Sequence, residues 1–106
     1  EEYPYTNPDY LYTSADSGAT WTQRGSNLVW GKVASSADGT KLVAMSSNGY
    51  SWDPDYGKGY IHTSADSGVT WTQRTGAGLR VWGGLEISGD GSKLFATDSV
   101  SYGGGR

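Results

Sequence analysis

The chain has no cysteine, one histidine, one phenylalanine and three prolines in 106 residues. Without cysteine there is no disulfide framework and no thiolate chemistry. The single histidine, His62, cannot build a metal site within one chain. Cationic residues are also scarce, with 8 Lys and Arg against 11 Asp and Glu and a net charge of -3. They occur singly, which excludes the basic stripe of a nucleic-acid binder and the charge run of a disordered tail. No apolar run approaches the roughly 20 residues of a membrane span. No leader-like segment is visible and the first residue is Glu1, so processing or excision from a longer polypeptide is expected. The lack of cysteine fits a cytosolic and a secreted protein equally well.

What the chain does have is 17 Gly, 8 Tyr and 5 Trp. Glycine at that level implies many tight turns. Tyr and Trp carry a polar handle and suit partly wet surfaces. Apolar aliphatics are few, which points to an all-β protein of thin layers. No stretch keeps a helical period.

A long internal repeat dominates the sequence. TSADSGATWTQR at 13–24 returns as TSADSGVTWTQR at 63–74, differing only at Ala19 against Val69. Val29-Trp30-Gly31 likewise returns as Val81-Trp82-Gly83. A period of roughly 50 belongs to propeller-like blades rather than to helical repeats. Each unit reads as four short strands, A to D. Residues 30–36 form A, Asp38-Gly39 turns the chain, and 41–47 return as B. Asp-Gly between two such runs signals a hairpin, because both central residues can take positive φ. Residues 60–64 form C and 70–74 form D. The second copy gives A at 82–88, a turn at Asp90-Gly91 and B at 93–97. The chain therefore runs C-D-A-B-C-D-A-B, with residues 1–24 a C-D pair, 25–74 a full unit and 75–106 an A-B pair.

Ser14-x-Asp16-x-Gly18-x-Thr20-Trp21 and Ser64-x-Asp66-x-Gly68-x-Thr70-Trp71 match the Asp-box, or BNR repeat. Ser and Asp side chains bond backbone N–H groups inside such a turn, Gly permits the left-handed conformation, and Trp covers it. The chain thus resembles the sialidase-like and Asp-box lectin-like β-propellers over nearly its whole length. The resemblance implies that these boxes are structural staples on the face away from the ligand, so a structural role for Ser14, Asp16, Ser64 and Asp66 is favoured over a catalytic or calcium role. It also points to a secreted or extracellular setting.

Propellers have typically about 4–8 blades, and two blades expose unpaired edges. Closure within one two-blade chain is sterically implausible. Between chains, the C-terminal A-B pair can complete a blade with an N-terminal C-D pair, residues 93–97 pairing with 10–14. Such head-to-tail contacts close when the rotation divides a circle. A homotrimer makes a six-bladed ring and a tetramer an eight-bladed one. Six matches the sialidase-like relatives, so the trimer is favoured. A fragment of a longer propeller is the alternative.

In this topology the D–A and B–C loops lie on one face, which the family uses for ligands. The B–C loop, 48–59, is long and contains Tyr50, Trp52, Asp53, Asp55 and Tyr56. The N-terminal segment holding Asn7-Pro8-Asp9-Tyr10 echoes it and would join the equivalent loop after Tyr102. Rings stack on apolar sugar faces while carboxylates take hydroxyls. The alternative is that these rings pack loop on loop at a subunit junction. Asp53-x-Asp55-x-Gly57 has the opening spacing of a calcium loop but lacks its later ligands, so neither metal nor cofactor is assigned. Trp30 and Trp82 open the inner strands and are expected between blades, near the ligand face. Arg80, in the D–A loop, can either grip a carboxylate or stay solvated. Lys32 aligns with Gly84 and Ala34 with Glu86, on the same strand face, which predicts an ion pair or a channel lining. Tyr12 stands where the other copy has His62, expected as a satisfied side chain.

The function expected is a non-catalytic, carbohydrate-binding, lectin-like module. The rival is a sialidase-type glycosidase. The resemblance implies that such an enzyme needs three convergent arginines, whereas Arg24 and Arg74 merely repeat each other. A structural or engineered propeller fragment without ligand is the third reading.

Overall fold

The computed structural model describes residues 9–47, 54–55 and 57–98. These residues form an all-β chain of seven strands: β1 (Asp9–Thr13), β2 (Thr22–Ser35), β3 (Leu42–Ser47), β4 (Ile61–Ser64), β5 (Thr72–Arg74), β6 (Trp82–Ile87) and β7 (Leu94–Asp98). Every pairing is antiparallel between consecutive strands. No helix among the described residues is long and apolar enough to cross a membrane.

The strand order is the one read from the repeat, with one difference. The expected D and A strands of the first copy are a single 14-residue strand, β2. Its first half pairs with β1, and its second half, from Val29, pairs with β3. Gly25, at φ 76°, lies within the first half where its register with β1 shifts, and a Cβ there would press on the Trp30 ring at 3.3 Å. In the second copy the same connection carries two extra residues. There the strand breaks, and a 3₁₀ turn at Thr75–Ala77 separates β5 from β6. The chain thus holds one finished four-stranded sheet, flanked by two half-sheets.

β3 is the centre of the finished sheet. Its run Leu42-Val43-Ala44-Met45 has no polar alternation because both of its faces are covered, the reading expected of a short continuous apolar run. Val43, Ala44, Met45 and Ile61 form the buried hydrophobic core of the described residues. β6 packs against β2 and β3. β7 repeats β3 in sequence position, yet every one of its residues is exposed.

The hairpin turns differ from expectation. In each turn only the glycine has positive φ, Gly39 at 78° and Gly91 at 79°, and Asp38 and Asp90 do not. The loop is wider than a two-residue hairpin: Gly39 N–H donates to Ser36 O and Ser36 N–H to Lys41 O. The reason is side-chain bonding by Asp38, which holds a longer turn closed without a left-handed second residue.

Candidate functional site

Antiparallel connection of successive strands puts two kinds of turn at each end of the molecule. At one end are the A–B and C–D turns. In the C–D turn Ser14 Oγ donates to Asp16 Oδ1 at 2.9 Å and accepts from Gly18 N–H at 2.8 Å. Thr20 donates its N–H to Asp16 Oδ1 at 2.8 Å and its hydroxyl to Oδ2 at 2.6 Å. Trp21 closes the turn through Nε1 to Gly18 O at 3.0 Å. The copy at Ser64, Asp66, Gly68, Thr70 and Trp71 repeats each bond within 0.2 Å. Ser17 and Ser67 accept positive φ of 61° and 62° in these turns.

The A–B turns are built in the same way, which sequence reading missed. Ser36 Oγ donates to Asp38 Oδ1, as do Thr40 N–H and Thr40 Oγ. Ser88, Asp90 and Ser92 repeat the pattern. The signal was present as Ser-x-Asp-Gly-Thr/Ser-Lys at 36–41 and 88–93. All four aspartates have their carboxyls lowered from 3.8 to about 2. The main causes are the Thr20 and Thr70 hydroxyls for Asp16 and Asp66, and the Thr40 and Ser92 N–H groups for Asp38 and Asp90. Hydrogen bonds to the charged form lower a carboxyl in this way. Ser67 N–H donates to Thr40 O at 2.9 Å and Ala37 N–H to Gly89 O at 2.9 Å, so neighbouring turns are laced into one rim. These carboxylates are spent on backbone and hydroxyl donors within their own turns.

The opposite end carries the D–A and B–C loops. Gly59 and Arg80 exchange backbone bonds at 2.8 and 3.2 Å, tying the two loops together. Trp82 Nε1 donates to Gly59 O at 3.0 Å. Arg80 donates Nε to Ala77 O at 2.9 Å, reaches Asp98 Oδ2 through a terminal nitrogen at 3.3 Å, and lies 5.9 Å from the Trp82 ring centre. Arg80 is therefore positioned while still half exposed, rather than freely solvated. Asp98 was not singled out from sequence; only the β6–β7 pairing of Trp82 with Asp98 reveals it. Asp55 pairs with Lys58 at 3.5 Å. Tyr50, Trp52, Asp53, Tyr56, the segment through Pro8 and Tyr102 lie outside the described residues.

Trp30 sits where the first half-sheet meets the finished one. Its Nε1 donates to Ser26 O at 3.0 Å, and its ring meets His62 edge-on at 4.9 Å and Trp71 at 6.2 Å. His62 is buried with Nε2 3.1 Å from Ser46 Oγ. Burial pushes its imidazole below 6.5. Lys32 and Glu86 border one shallow cleft together with Phe95, but no ion pair joins them. Arg24 and Arg74 each turn Nε onto the hydroxyl of Thr13 or Thr63 in the adjoining strand, at 3.0 and 2.8 Å. No group of three or more His, Asp or Glu that could hold a metal occurs among the described residues. No protein family model, no curated protein and no solved structure matches the chain.

Proposed function

We propose that the chain is a non-catalytic, carbohydrate-binding module of the Asp-box propeller type, working as a ring closed head to tail by further copies. Three copies supply six blades and four supply eight, and the trimer is the form we favour. The observation that carries the reading is the division of the two ends. One end spends its four turn carboxylates on its own backbone. The other holds Arg80, Trp82 and Asp98, tied through Gly59 to the B–C loop, whose sequence contains Tyr50, Trp52, Asp53, Asp55 and Tyr56. Rings beside a guanidinium and carboxylates supply stacking surfaces and directional bonds for sugar hydroxyls. The employment of Arg24 and Arg74 within their own sheets supports a binding role over a sialidase-type one.

A glycan array tests it. Wild-type protein should give signal, and Trp52→Ala and Arg80→Ala should reduce it while leaving the native mass unchanged. A blank array, or a ring that falls apart on Trp52→Ala, makes the loop a structural joint and removes the lectin reading. Hydrolysis of a fluorogenic sialoside that Glu86→Gln abolishes would overturn the non-catalytic part.

A further inference from the structure

The molecule contains one finished sheet and, at its two extremes, the separated halves of another. The finished sheet is a template for how those halves meet. We infer that β7 pairs edge to edge with β1 of a second copy in the β3–β4 register, and that this contact brings the partner's Tyr12 onto Trp82 and Asp98, completing the Arg80 site. The inference rests on the ring reading above and adds to it a register and a shared site.

The β3–β4 register is Leu42 to Ser64, Val43 to Thr63, Ala44 to His62 and Met45 to Ile61. The repeat relates β7 to β3 and β1 to β4. Leu94 then faces the partner's Ser14, Phe95 the partner's Thr13, Ala96 the partner's Tyr12 and Thr97 the partner's Leu11. Exposure supports the match at two of these positions. Val43 is 1 % exposed and its counterpart Phe95 57 %; His62 is 6 % exposed and its counterpart Tyr12 49 %. Both uncovered residues are large and apolar in body, unlike the charges and prolines that blunt a free edge. A second feature is independent of side-chain burial. The bond from Ser67 N–H to Thr40 O docks a C–D turn on an A–B turn. Its two counterparts, Ser17 and Ser92, lie at opposite ends of this chain and meet only across such a junction.

The same template places the shared site. His62 lies edge-on to Trp30 with its far nitrogen on Ser46 Oγ. The corresponding three residues are the partner's Tyr12, Trp82 and Asp98. Tyr is longer than His and ends in a hydroxyl, so the partner's Tyr12 covers the Trp82 edge and donates to the Asp98 carboxylate. Arg80 already binds that carboxylate from the other side. A ligand at Arg80 and Trp82 would thus be walled by two chains.

The lack of cysteine allows a direct test. Directly opposed cross-strand residues have Cα atoms roughly 4.5–5.5 Å apart, within disulfide range. Thr13→Cys with Phe95→Cys in one chain, oxidised at a protein concentration raised about 100-fold over the wild-type dissociation concentration to offset the lost aromatic side chain, should give a covalent ring that survives denaturing gels. Thr13→Cys with Ala96→Cys, one residue out of register and facing opposite sides, should not. A native oligomer that stays unlinked in the first pair, or links only in the second, overturns the register and leaves the ring standing. A wild-type monomer overturns both. For the shared site, a double-mutant cycle of Tyr12→Phe and Asp98→Asn on the dissociation concentration should show coupling of roughly tenfold or more, as for a bond to a charged group. Additive effects would refute the Tyr12–Asp98 contact.

Discussion

If the proposed ring forms, Phe95→Ser should weaken the assembly while sparing the single chain. Phe95 is 57 % exposed in the single chain, whereas Val43 at the same place in the finished sheet is 1 % exposed. Covering Phe95 to that extent removes a little over half of a Phe surface, roughly 100 Å² on a side chain of this size. At about 25 cal/mol per Å² this is roughly 2.5 kcal/mol at each junction. Losing it weakens each junction by about 50- to 100-fold. Mass photometry over a dilution series should therefore show Phe95→Ser rings dissociating at far higher protein concentration than wild type. The far-UV circular dichroism of the dissociated chain should match the wild-type chain, and its melting should fall far less than that of Val43→Ser, because more than half of the Phe95 side chain is exposed within it. Val43→Ser should do the reverse and lower the melting temperature of monomer and ring alike. Unchanged dissociation of Phe95→Ser, or melting as damaged as that of Val43→Ser, would refute the reasoning.

Acid should lower the stability of the chain in two windows. The carboxyls of Asp16, Asp38, Asp66 and Asp90 are about 2 when folded against 3.8 otherwise; the unfolded chain binds those protons first, so their stabilisation is complete above about pH 4 and is lost towards pH 2. The buried imidazole of His62 is lowered below 6.5, so the unfolded chain again protonates first, and stability falls as pH drops below 6.5. Denaturant titrations should show this upper window disappear in His62→Gln while the lower one remains. Asp66→Ala should lower the melting temperature of the single chain more than Asp16→Ala, since only the Asp66 turn is docked on Thr40 within one chain; equal effects would mean that the docking adds nothing.

The repeat made the strand order legible, because the same twelve-residue pattern at 13–24 and 63–74 fixes equivalent places in two sheets. It did not reveal the continuous β2. That depends on the connection being two residues shorter in the first copy, where the strand runs on through Gly25 with a shift of register against β1. The Asp-Gly signal at Asp38 located a turn but misjudged its width, since local propensity does not register that a Ser two residues earlier shares the carboxylate. Arg80 was singled out from its place in the D–A loop and Trp82 from its place at the head of an inner strand, while Asp98 was invisible until β6 and β7 paired. The predicted contact of Lys32 with Glu86 failed as an ion pair: shared strand parity brings two residues to one cleft, but it does not set their separation.

The claim on which the rest depends is closure between copies. Native mass spectrometry of the 106-residue chain at micromolar concentration is its most direct test. One dominant species at three times the 11.3 kDa chain mass is the result predicted. A stable folded monomer, or an open ladder of masses without a preferred end, would contradict it.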